Sequence, residues 1–78
     1  MTITLDKLKL GQHGIVTQLL CTGATRRRLM DLGIIVGTPI QAELRSALGD
    51  PIAYRVREAL IGLRHKQAQE IEVEIIES

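Results

Sequence analysis

Seventy-eight residues, 45% of them apolar and 24% charged, make a globular chain of single-domain size, expected to span residues 1–78. A chain this short buries about 60% of the surface its unfolded form exposes, which leaves little room for an enclosed active site. A formal net charge of +1 excludes a strong global field, so attraction to nucleic acid or to an anionic membrane would have to come from a local patch. Tyr54 is the only aromatic residue, so the core has to be aliphatic. The single cysteine, Cys21, excludes an internal disulfide framework and fits a reducing compartment. The opening MTITLDKLKLG lacks the pattern of a signal peptide, and no apolar run approaches the ~20 residues of a membrane span, so a cytoplasmic location is expected.

In chain order, Thr4 to Leu10 suits one helical turn or an extended lead-in that tucks leucines under the fold. Gly11 and Gly14 bracket a turn, after which Ile15 to Cys21 reads as the first strand. Ile15, Val16, Leu19 and Leu20 cannot share one face of a regular strand, so both faces are covered or a bulge shifts the register.

Thr22 to Gly37 is the only segment with a helical period. Thr22 and Thr25 are both suitable N-caps, and Gly33 supplies the left-handed stop with Ile34 folding back as its apolar partner. On a helical wheel Thr25, Leu29 and Leu32 fall together on the inward side, with Arg27 and Asp31 projecting outward. Arg26, Arg27 and Arg28 lie near the helix N-terminus, where cations are mildly unfavourable by roughly 0.3–1 kcal/mol each. Two explanations stand: a solvated face with an Arg27–Asp31 pair, or contact with a partner.

Beyond the helix, Ile40, Ala42 and Leu44 alternate with Gln41, Glu43 and Arg45 in a strand between Gly37 and Ala47, and Leu48 to Pro51 forms a connection. Ile52, Tyr54 and Val56 face one way in the next run, and a tight turn at Glu58 and Ala59 leads into a strand from Leu60 to Arg64. His65 to Glu70 fits a single helical turn, and Ile71, Val73 and Ile75 close the chain as a strand with an acidic outer face. Five short strands and one short helix predict an all-β fold, a small, strongly bent antiparallel barrel with the helix at one end.

The chemistry-bearing residues do not converge in sequence. His13, His65 and Cys21 have no second ligand at a standard spacing, so neither a metal nor a cofactor is expected. No nucleophile, base and orienting group are linked by a motif, so the chain is read as non-enzymatic. Nucleic-acid binding through Arg26–Arg28 is the alternative function, weakened by Asp31, Glu72 and Glu74 and by the lack of stacking aromatics other than Tyr54. The stronger reading is an interaction module in which Ile35, exposed beside the arginines, makes a mixed apolar and cationic patch.

These residues carry a resemblance. RRLMDLGIIVGTPI is similar to the R-L-x-x-L-G-x-x-x-G signature of the FeoA family, and ALGDPI resembles that family's turn into its third strand. LIGLRHKQAQEIEVE resembles its ending, while Leu5, Leu8, Gly11, Gly14 and Val16 match its opening, so the resemblance covers nearly the whole chain. Val36 stands where the family commonly has proline. The resemblance implies an SH3-like barrel and a small cytoplasmic accessory protein of bacterial ferrous iron uptake. Its partner would be FeoB, a membrane transporter with a cytoplasmic G-protein region. The same fold also occurs in iron-dependent repressors, which carry an upstream DNA-binding helix-turn-helix. On this reading Arg26, Arg27 and Arg28 contact carboxylates on the partner, Ile34 and Ile35 are apolar anchors, and Asp31 sets register.

Overall fold

The computed structural model describes residues 1–76; residues 77 and 78, which belong to the expected domain span, lie outside the described residues. The elements are β1 (Thr2–Thr4), a 3-10 turn (Leu5–Lys7), β2 (His13–Leu19), α1 (Gly23–Asp31), β3 (Pro39–Arg45), β4 (Ile52–Val56), β5 (Ala59–Leu63), α2 (His65–Ala68) and β6 (Ile71–Ile76). The strands form one antiparallel sheet in the order β1-β6-β2-β3-β4-β5. It curls around a single aliphatic core that holds Leu5, Leu8, Val16, Leu29, Ile40, Leu63, Ile71 and Val73.

The extra strand relative to the five expected is β1, whose Thr2, Ile3 and Thr4 pair with Glu74, Val73 and Glu72 of β6. Its Thr-Ile-Thr sequence alternates, but three residues are too short to announce a strand; the N-terminal amine and the Thr2 hydroxyl hold it by bonding both oxygens of Glu74, at 2.9 and 2.8 Å. Among the described residues the ladder does not close. β1 and β5 remain as its two ends.

Two bulges explain where alternation misleads. Between Val16 and Gln18 the register of β2 against β6 shifts, so Val16 and Leu19 are both buried while Leu20, past the strand end, is exposed. A second shift between Ala42 and Leu44 flips Leu44 away from the core side it was expected to share with Ile40 and Ala42. Leu44 is 57% exposed as a result.

Gly14 lies close against β6. A Cβ there would lie 3.2 Å from Val73 Cβ and 3.3 Å from the Glu74 carbonyl, tighter than ordinary packing. The β4–β5 turn falls at Arg57 and Glu58 rather than Glu58 and Ala59, with Arg57 at φ 58°. That placement pairs Val56 with Ala59 and brings Leu63 into the core.

Candidate functional site

Helix α1 sits between β2 and β3 in the chain and buries one side chain in the core. Leu29 is fully buried, whereas Thr25 is exposed and Leu32 is 41% exposed, contrary to the three-residue inward face expected. The reason is the early stop. Leu32 is the C-cap, and Gly33 at φ 92° turns the chain before Leu32 can reach the core. The Gly33 N–H donates to the Met30 carbonyl at 2.9 Å and the Ile34 N–H to Leu29 at 3.0 Å, the paired bonds of a left-handed C-terminal cap. At the other end Thr22 is the N-cap in extended conformation, but its hydroxyl makes no capping bond.

The sequence-expected site residues divide on this frame. Ile34 is fully buried in the core, so it cannot anchor a partner: the cap that it completes folds it inward. Arg26 is half-buried and its Nη1 donates to the Leu19 carbonyl at 3.4 Å, tying the helix to the end of β2. Arg27, Arg28 and Asp31 are exposed, and among the described residues no Arg27–Asp31 ion pair forms. Ile35 is 37% exposed and Val36 60% exposed, in the turn held by the Gly37 N–H donating to Val16 at 2.7 Å.

The helix therefore presents guanidinium groups and apolar side chains together. Gly23, Arg26, Arg27, Met30 and Asp31 line an open groove of about 570 Å³. Met30, which lines this groove, and Leu32 are both more than two-fifths exposed; sequence reasoning placed Leu32 on the inward side and gave Met30 no role. The available signal was the helix length, since nine residues offer only about two and a half turns and one buried side chain already fills the inward face.

Elsewhere, Arg55 and Tyr54 make structural contacts. Arg55 makes two bonds to the Glu43 carboxylate, at 2.8 and 2.9 Å, which hold that carboxyl below its ordinary pKa. Tyr54 is fully buried and its hydroxyl meets the Leu5 carbonyl at 3.4 Å, so the lone aromatic offers no platform for a stacked base. Burial, followed by the negative charge of Asp6, pushes its phenol up to about 12.

His65 Nε2 lies 3.6 Å from Asp6 Oδ2, but no three His, Cys, Asp or Glu side chains converge as a metal site among the described residues. Cys21 is buried just beyond β2, and His13 is exposed at its first residue. No helix among the described residues is long and apolar enough to cross a membrane.

Comparison with known proteins places this geometry. A family model for the FeoA domain matches residues 3–75. The chain is 31% identical over 74 residues to the Fe(2+) transport protein A/Fe(2+) transporter FeoB fusion protein of Porphyromonas gingivalis, covering 95% of this chain but only 9% of that one. The solution structure of FeoA from Chlorobium tepidum is 36% identical with a TM-score of 0.90, covering 96% of this chain and 71% of that one. The zinc-complexed FeoA of Stenotrophomonas maltophilia, described as a prokaryotic SH3 domain protein, is 25% identical with a TM-score of 0.82 over 92% of this chain and 89% of that one. With its motifs, its SH3-like barrel and its relatives in agreement, the chain belongs to the FeoA family.

Proposed function

We propose that this chain acts as one non-enzymatic domain that assists ferrous iron uptake by binding the cytoplasmic G-protein region of FeoB and modulating the transporter's activity or assembly. The carrying observation is the relative in which the matching domain and FeoB are parts of one fusion protein. Covalent fusion keeps two domains at high effective concentration, a natural state for domains that work on each other. The α1 surface suits such a contact. Arg27 and Arg28 are free of ion pairs among the described residues and stand ready to bond carboxylates, Met30 and Asp31 line the same groove as Arg27, and Leu32, Ile35 and Val36 add exposed apolar surface at and just past the helix end. Arg26 contributes less freely, since it already bonds the Leu19 carbonyl.

The test is calorimetric titration of the protein into the isolated cytoplasmic region of FeoB, without nucleotide, with GDP, and with a non-hydrolysable GTP analogue. Saturable binding is expected, and Arg27→Glu is expected to weaken it and to impair ferrous iron uptake while leaving the fold intact. Absence of binding in every nucleotide state, or a charge-reversed variant that binds and supports uptake normally, would overturn the proposal.

A further inference from the structure

The two ends of the sheet are not equivalent. β1 is three residues long, carries two threonines and is tied at its start by Glu74. β5 is five residues, Ala-Leu-Ile-Gly-Leu, with no charged residue, proline or bulge to guard it.

Its pairing with β4 fixes which groups are left free. Val56 and Ala59 flank a two-residue turn and exchange hydrogen bonds, and the alternation of the ladder then turns the N–H and C=O groups of Ile61 and Leu63 toward β4. Those of Leu60 and Gly62 point away from the sheet. Among the described residues, no backbone bond from another segment meets them. On the outer face beside this edge, Gly62 lies next to Ala53, and Ala53 next to Leu44. With Arg45, Ser46 and Pro51 these residues line a groove of about 270 Å³, and a Cβ at Gly62 would meet nothing within 4 Å.

We propose that this edge pairs with the same edge of a second copy of the chain, antiparallel about a twofold axis at Ile61. In that register Leu60 falls opposite Gly62 of the second copy, so the free N–H and C=O groups of both residues are satisfied reciprocally on both sides of the axis. Leu60, 45% exposed in the single chain, sits over the glycine gap and enters the groove floored by Ala53, and the symmetric leucine does the same in return. The charges agree with the register. Glu58, in the turn, comes opposite Arg64 of the second copy, and Arg64 comes opposite Glu58. Among the described residues the Arg64 guanidinium pairs only loosely, in an exposed contact with Asp50 at 3.8 Å. A shift of the axis by one residue would bring neither leucine to glycine nor glutamate to arginine. The edge is short beside the roughly 800 Å² per partner of a standard interface, so the dimer is a weak one.

The inference concerns this chain alone and does not depend on FeoB. Sedimentation equilibrium from about 10 µM to about 1 mM, a range suited to small interfaces, should show an average mass rising toward that of two chains. Over the same range the amide exchange of Leu60 and Gly62 should slow, while that of Ile61, already bonded within the hairpin, should not change. Glu58→Arg places like charges at both ends and should raise the dissociation constant about tenfold. Arg64→Glu makes the same test from the other side, and the double exchange Glu58→Arg with Arg64→Glu should restore association. A chain that stays monomeric throughout, or one whose association ignores the single changes or is not restored by the double one, would overturn the proposal.

Discussion

Ile34 and Ile35 are chemically identical neighbours that the fold assigns to opposite tasks, and alanine substitution separates them. Ile34 is fully buried in the core and follows the glycine cap of α1, whereas Ile35 is 37% exposed. Ile34→Ala removes three carbons from the core, about 2.4 kcal/mol at ~0.8 kcal/mol per buried methylene, and the residual cavity brings the cost to about 3 kcal/mol. A domain of this length is stable by roughly 4–12 kcal/mol, so the loss is a large share of the total. The midpoint of thermal unfolding, followed by far-ultraviolet circular dichroism, should fall by roughly 12–24 °C. Ile35→Ala should cost less than about 1 kcal/mol and leave the midpoint nearly unchanged. In titrations against the cytoplasmic region of FeoB, Ile35→Ala should weaken binding without unfolding. Equal midpoint shifts for the two variants, or an Ile34→Ala protein as stable as the parent, would refute the assignment of Ile34 to the core.

Three further outcomes are expected. Gly14→Ala brings a methyl to 3.2 Å from Val73 Cβ and 3.3 Å from the Glu74 carbonyl, so the neighbouring β6 backbone must give by a few tenths of an ångström and urea unfolding should show a loss of about 1 kcal/mol. Arg26→Ala should cost about 1 kcal/mol through the lost bond to Leu19, while Arg27→Ala should stay within about 0.5 kcal/mol of the parent in the same assay. Because Tyr54 is the only aromatic residue, its ionisation can be read directly from the ultraviolet absorbance of the native protein, and it should occur near 12 rather than 10. The folded state then holds the phenol proton more tightly than the unfolded one, so stability should decline as pH rises from about 10 toward 12, and Tyr54→Phe should abolish that decline.

Much of the molecule was legible in its residue order because the relevant interactions are local. Gly33 after Leu32, followed by Ile34, announces a left-handed cap, and the cap formed with its two backbone bonds. Strict alternation in Ile52, Tyr54 and Val56 and in Ile71 and Val73 marks strands whose inward sides are buried as expected. The four FeoA motifs carried the family because turn glycines and aliphatic spacings repeat in a fixed order. The arginine cluster was equally plain, as was the concentration of exposed charge on α1.

Tertiary structure alone decided the rest. Alternation cannot say where a bulge will fall, because the register of one strand is set by its neighbour; hence Leu44 points outward. The helical wheel cannot know how far the core reaches, so Leu32 was expected inside and lies outside with Met30. Ile34 and Ile35 have the same intrinsic preference for burial, and only the direction in which the cap returns the chain buries one and exposes the other. The same holds for the edges of the sheet. Which strand is left unpaired depends on contacts between residues far apart in the chain, the pairing of β1 with β6 above all, and no local pattern in Ala59–Leu63 declares that it ends the ladder.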